Sequence, residues 1–485
     1  MDEIGLEEVK RRSVGGIITL TSRTFILQAI SFLTTFLLTI FLAPSVFGVF
    51  FIVSAVISFL AYFSDIGLAA ALIQKKEAIT QDDLKTTFTI QQFLVGTIVI
   101  LALVFSRTFA VFYNLDSAGL WLLRALLISF FLSSLKTIPS VLLERRLEFN
   151  RLVIPQIVET FLFSLVAVLL AIKGFGVASF TWAVLARGIS GLLVIYILSP
   201  WRVSFGFSKE VASRLLSFGF PFQANSILAL IKDDLLIIFL GKILPFSAVG
   251  YLGWAKKWAE FPLRLVMDNV IKVTFPAYAR LQDNKEFIGK AIEKSIFFVS
   301  VIIFPLTLLM IFAIKPLVFV IPKYTKWEPA LLPFYLFAAS SIFASISTPL
   351  TNVLNATGKI KTTLKLMVLW TVLTWVLTPI LIYFCDFTGV ALVALLVSTT
   401  VFLPVLLVKR IVDFTFIGNV GKPFLAATMM GITLYLIMPQ LQKDLLGLVV
   451  MVTLGVIIYS VAMFILAKEK ILESLNLFLR VLKHE

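Results

Sequence analysis

Lys256, Glu260, Arg264, Asp268 and Lys272 recur every fourth residue, with alternating sign, in the stretch KKWAEFPLRLVMDNVIK at 256–272. On an α-helix such steps stay on one stripe, drift about 40° each, and allow plus-to-minus pairing along roughly 24 Å of axis. The stripe is either a self-satisfied ionic ladder that gives one helix a polar contact face, or the wet wall of a cavity. Pro262 lies inside it and is expected to bend the helix there. Arg187 falls deep in another apolar run, and Lys232, Asp233 and Asp234 sit near the middle of a third. Facing lipid at a helix centre, each such charge costs about 2.5–3.5 kcal/mol, so these groups should face protein or water.

Other chemistry is scarce. The sole histidine is His484 and the sole cysteine Cys385, so neither His-based catalysis, nor an internal disulfide, nor a Cys/His metal cluster is expected. No enzyme activity and no cofactor are expected either.

The elements that must position these charges are helices in a membrane. Of 485 residues, 60% are hydrophobic and 14% charged, and the mean hydropathy is +1.02. Apolar runs reach the roughly 20 residues that cross a bilayer. The spacing predicts an all-α polytopic membrane protein with about fourteen spans, at 17–41, 45–73, 86–111, 118–143, 152–173, 176–199, 217–241, 246–275, 292–315, 329–355, 362–384, 387–408, 421–439 and 446–467. The start, MDEIGLEEVKRRS, lacks the pattern of a signal peptide, so the first run reads as a retained span.

Alternate connections carry 26 of the 42 lysines and arginines, and the intervening ones carry 7. The positive-inside rule therefore places both termini in the cytoplasm. The +15 net charge, spread in threes and fours over eight loops, is an orientation signal and not a nucleic-acid footprint. All loops are short, so function is expected among the helices.

Weak internal similarity recurs at an offset near 200–213 residues. FLAPSVFG ends at Gly48 and FLGKILPFSAVG at Gly250; PSVLLERRLEF starts at Pro139 and PLTNVLNATGK at Pro349. Two six-span lobes, 1–200 and 201–412, with an appendage at 413–485, are expected to enclose a cavity that opens to either side in turn.

Nine cations remain on the spans. Arg23, Lys136 and Lys272 lie near span ends and can snorkel to the interface. Arg124, Arg187, Lys232, Lys256, Lys257 and Arg264 are candidate cavity residues, and Arg23 is kept among the candidates. Asp65, Glu159, Asp233, Asp234, Glu260 and Asp268 are the acidic residues on the spans. The surplus is basic, which suits an anion, and guanidinium groups suit phosphate in particular. Asp233, Asp234, Glu260 and Asp268 either neutralise neighbouring cations or bind a coupling ion, Na+ or H+.

Four passages, SDIGLAAALIQKKE at 64–77, LERRLEFNRL at 143–152, LPFSAVGYLGWAKK from Leu244 and FPAYARLQD at 275–283, together with the six-plus-six-plus-two layout, resemble the polysaccharide transporter family of the multidrug/oligosaccharidyl-lipid/polysaccharide (MOP) flippase superfamily. The likeness is to exporters of the colanic acid, teichuronic acid and O-antigen type, and spans about 10–410. It implies a plasma-membrane flippase that moves polyprenyl-pyrophosphate-linked oligosaccharide from the cytoplasmic to the outer leaflet, working among membrane lipids and alongside polysaccharide polymerase machinery. No binding residue carries over from the family, because GWAKKW departs from its usual pattern. Two alternatives stay open: a multidrug/cation antiporter of the same superfamily, which would favour an acidic or aromatic cavity, and an integral-membrane polysaccharide polymerase or ligase, which would favour a His/carboxylate constellation or a large outward loop.

Overall fold

In lipid every backbone polar group must find its partner inside the protein, so long apolar runs become helices. The computed structural model describes the backbone of residues 6–64, 67–75, 77–224, 227–441 and 444–483, and within these ranges the side chains outside 6–18, 20–21, 218–224, 227–229, 438–441 and 471–483. No strand occurs among the described residues.

Two compact units divide the chain, Met1–Gly250 and Tyr251–Glu485. The first holds α1 (Leu6–Phe41), α2 (Pro44–Tyr62), α3 (Leu68–Gln74), α4 (Gln81–Val104), α5 (Ser106–Phe112), α6 (Ser117–Ser134), α7 (Thr137–Arg145), α8 (Phe149–Ile172), α9 (Val177–Leu198), α10 (Lys209–Ala224), α11 (Ile227–Ile243) and the start of α12 (Phe246–Ala259). The second holds the rest of α12 with α13 (Phe261–Leu281), α14 (Lys285–Val320), α15 (Leu331–Ala356), α16 (Ile360–Cys385), α17 (Thr388–Ser398), α18 (Phe402–Lys409), α19 (Ile417–Leu441) and α20 (Leu445–Lys483). The expected repeat boundary at 200/201 is a matter of sequence ancestry, which packing alone does not test.

Among the described residues, twelve helices are long and apolar enough to cross a membrane, and they coincide with twelve of the expected spans. The other two are the seventh and eighth. The seventh includes residues 225–226, which lie outside the described residues. The eighth is divided at Glu260 between α12 and α13, two residues before Pro262, whose missing N–H leaves the Trp258 carbonyl without its helical donor.

In the first unit α8 lies along α9 and α1, α9 along α6, and α6 against α2 and α4. Small residues line the contact: Ser179, Ala183, Gly188, Ser190 and Gly191 of α9 are buried, as are Ser164, Ala167 and Ala171 of α8. Lipid tails are as apolar as leucine, so close backbone approach takes the place of hydrophobic burial as the driving force. Helix α11 packs on α2, where Gly241 abuts Ile52. Tyr113 donates to the Ile238 carbonyl at 3.2 Å, and Lys242 donates to that of Phe112 at 2.8 Å. Near the starts of α2 and α12, the two glycines that close the repeated motif, Gly48 and Gly250, lie against the carbonyls of Phe246 and Pro44.

The linker helix α10 also belongs to the first unit. Val211 and Leu215 join a buried cluster with Leu68, Leu72, Leu84 and Ile138. Arg214 reaches the fully buried Asp83 at 2.7 Å, and Lys75 binds the same carboxylate at 2.5 Å. Arg145 closes the loop between α3 and α4 by donating to the carbonyls of Leu72, Lys75 and Glu77.

In the second unit α14 is the central helix, packed by α13, α15, α19 and α20. Its core runs from Ile288 and Ile292 through Phe304 to Leu350, Met430 and Met451. At its edge Trp254 stacks on Trp327 with ring centroids 5.3 Å apart and donates to the Tyr324 hydroxyl.

Candidate functional site

The fourth expected span, 118–143, is broken near its end. Pro139 has no N–H to offer the carbonyl four residues earlier, that of Leu135, so the helix opens there, and α6 and α7 are separate pieces joined at Leu135–Lys136. The freed Leu135 carbonyl accepts instead from the Tyr196 hydroxyl of α9 at 3.1 Å. Gln91 of α4 donates its amide to Thr137 Oγ1 at 2.9 Å. Ser134 donates to Gln92 Oε1 at 3.1 Å. A kink has become a polar, multiply held junction.

Lys136 extends from that junction to Glu159 of α8, Nζ to Oε1 2.5 Å, with side chains 15% and 10% exposed. It is therefore not a snorkelling residue: the break turns it inward, to a carboxylate that would otherwise be buried without a counter-ion. Arg187 of α9 approaches the other oxygen, Nε to Oε2 3.8 Å, and its side chain is 56% exposed. That separation is too long for a hydrogen bond, and among the described residues the Arg187 guanidinium makes none. Gly191, one turn along α9, leaves the space that Glu159 fills. Glu159 and Arg187 each lie about 15 Å from the start of their helices at 1.5 Å per residue, which is near mid-span.

Arg187 does not face lipid. At about 100° per residue, the residues nearest to it around α9 are Gly191, Ala183 and Ser190, all buried, whereas the exposed Trp182, Ile189 and Leu193 occupy the far arc. Arg187 is thus a half-exposed guanidinium on the protein-facing side of a mid-span helix. Two cations and one carboxylate leave the cluster one net positive charge.

The other predicted residues are placed as follows. Arg124 donates its Nε to Ser106 at 3.2 Å and lies over the Trp121 ring, which is itself exposed, as in an interfacial belt. Arg23 on α1 is half-buried, and its buried Nε has no hydrogen-bond partner among the described residues. On α11, Lys232 and Asp234 are half-buried and Asp233 is exposed. In the second unit the expected ladder exists over its first half: Glu260 is reached by Lys256 at 3.9 Å and by Arg264 at 2.9 Å, with Arg264 68% exposed. Lys257, Asp268 and Lys272 are exposed. The structure thus gathers Lys256, Glu260 and Arg264 in one unit, and in the other joins Arg187 to Glu159 and Lys136, neither of which stood among the predicted site residues. The signals were in the chain: a proline four residues past Leu135, and a glycine four past Arg187. Among the described residues no group of His, Cys, Asp and Glu is arranged to hold a metal.

The chain is 25% identical over 302 residues to the succinoglycan biosynthesis transport protein ExoT of Rhizobium meliloti (strain 1021), a match covering 61% of this chain and 59% of that protein. It thus spans about three fifths of that relative's length. The solved structure of the lipid II flippase MurJ in an inward closed conformation is similar with a TM-score of 0.76, over 94% of this chain and 100% of that one at 15% identity. An inward-facing multidrug resistance MATE family transporter of the MOP superfamily is similar with a TM-score of 0.61, over 82% of this chain and 98% of that one at 17% identity. At these identities the likeness to the solved structures is one of fold. Residues 37–332 match the polysaccharide biosynthesis protein family. With that match over more than half its length, this multi-pass membrane chain belongs to the polysaccharide biosynthesis protein family.

Proposed function

We propose that the protein is a flippase that carries polyprenyl-pyrophosphate-linked oligosaccharide from the cytoplasmic to the outer leaflet of the plasma membrane. Both termini lie in the cytoplasm, and the lobes 1–200 and 201–412 rock about a cationic cavity. The observation that carries the reading is Arg187: a mid-span guanidinium, turned to the protein side, half-exposed and only loosely countered, in a chain of the polysaccharide biosynthesis family. A phosphate-bearing headgroup is the ligand that suits such a group. The polyprenyl tail stays in lipid while sugar and pyrophosphate cross through water. The names of two similar proteins, a succinoglycan transport protein and a lipid II flippase, support the same class of cargo.

Coupling to a Na+ or H+ gradient belongs to this proposal, with Asp233, Asp234, Glu260 and Asp268 as its candidates. Glu260 is already held by Lys256 and Arg264, which leaves the exposed Asp268 better placed in the second unit. The polymerase that extends the delivered oligosaccharide is the expected partner. Labelling of lipid-linked oligosaccharide from the periplasmic side tests the function. Deletion of the protein should leave the glycan unreachable by the label, and undiminished labelling would overturn the reading.

A further inference from the structure

The geometry points to Glu159 as a built-in competitor for the substrate's phosphate: a tethered anion that occupies part of the anion site between Lys136 and Arg187 and limits how tightly a phosphate or diphosphate binds there. The inference rests on the flippase reading for the identity of its ligand, not for the site itself.

Three observations carry it. First, the two cations are held unequally. Lys136 is a close, buried partner of Glu159 Oε1, whereas Arg187 stands 3.8 Å from Oε2, with its guanidinium donors unused among the described residues and more than half its side chain exposed. A group held in this way can turn to an incoming anion while the carboxylate keeps Lys136. Second, the position of Glu159 is built. A Cβ at Gly191 would stand 1.7 Å from Oε1, so the carboxylate fills a space that only glycine leaves open. Third, charge decides the direction of the effect. With Glu159 ionised the cluster carries one net positive charge; with it neutral the cluster carries two, and the attraction for a diphosphate rises.

A transporter needs such a limit. An anion site with no internal counter-charge would hold a diphosphate too tightly to release it on the far side, because interactions in a low-dielectric site are strong. Glu159 is in this sense a positioning residue: it acts on the ligand through Arg187 and Lys136, and sets release as well as capture.

The test uses the full chain in lipid nanodiscs and inorganic pyrophosphate as probe, with binding measured by calorimetry. Arg187→Gln should weaken binding by about tenfold or more, and Glu159→Gln should tighten it by about tenfold, from the change of one unit charge close to the site. Damage to the fold cannot produce that gain. Glu159→Asp keeps the charge and should bind within a few-fold of the unaltered protein, whereas a purely structural carboxylate would make the shorter side chain as disruptive as the amide. In cells, Glu159→Gln should export more slowly despite binding more tightly. Equal or weaker pyrophosphate binding by folded Glu159→Gln protein overturns the inference, as does binding that ignores Arg187→Gln. If the binding results hold while deletion leaves periplasmic labelling undiminished, the anion site stands and the flippase reading falls. If deletion abolishes labelling while Glu159→Gln leaves binding unaltered, the flippase stands and the competitor falls.

Discussion

Gly48 and Gly250 meet in a reciprocal contact: a Cβ on Gly48 would lie 1.8 Å from the Phe246 carbonyl oxygen, and one on Gly250 1.9 Å from that of Pro44. Each glycine closes its copy of the repeated motif, and each touches the first residue of the helix that carries the other. Because the opposing atoms are backbone, they cannot swing aside. Gly48→Ala or Gly250→Ala should therefore force α2 and α12 apart and destabilise the protein by about 1–3 kcal/mol. Thermal unfolding in detergent followed by tryptophan fluorescence measures this, and an unaltered midpoint would show that the helices part freely here.

Gly191→Ala sets two opposing effects against each other. In an ordinary helix interior the change stabilises by roughly 0.5–1 kcal/mol. Here the new methyl displaces Glu159 and separates it from Lys136, and breaking a buried pair costs about 3–5 kcal/mol. The net expectation is a loss of about 2–4 kcal/mol. A stabilised protein would mean that Glu159 moves away without strain.

Tyr196→Phe should leave the Leu135 carbonyl without a donor, at about 1–3 kcal/mol. Pro139→Ala restores an N–H four residues beyond Leu135, so the double variant should recover most of the loss. A loss that persists in the double variant would show that the hydroxyl of Tyr196 does not act through that carbonyl.

Asp83 is completely buried and accepts from Lys75, Arg214 and the Thr80 backbone. Asp83→Asn removes the charge that holds two cations, and should cost about 3 kcal/mol and loosen α10. Hydrogen exchange over 209–217 should accelerate ahead of the neighbouring helices; uniform protection would show that the apolar contacts of Val211 and Leu215 suffice.

Arg264 is 68% exposed and tied to Glu260 four residues earlier on the same helical stripe, so Arg264→Glu should leave expression and stability nearly unaltered. If that stripe lines the transport path, glycan export falls at least tenfold, a loss of about 1.4 kcal/mol in the transport barrier. Full export by the well-expressed variant would return the stripe to a purely structural role.

Much of this was legible in the chain. Long apolar runs dictate helices, because lipid offers no partner for the backbone. The four-residue spacing of Lys256, Glu260 and Arg264 dictates their pairing, because one helix carries all three. The chain also displays Gly48 and Gly250, which turn out to touch. Which charges meet across helices was not. Lys136 reads as a span-end lysine until Pro139 opens the fourth span and aims it at Glu159. Arg187 reads as one of several candidate cavity cations until the burial of its neighbours on α9 shows it exposed on the protein-facing side. Helical periods along a chain are local and set by backbone geometry. The meeting of α7, α8 and α9 around one carboxylate depends on how small residues let those helices approach, and only the folded packing decides it.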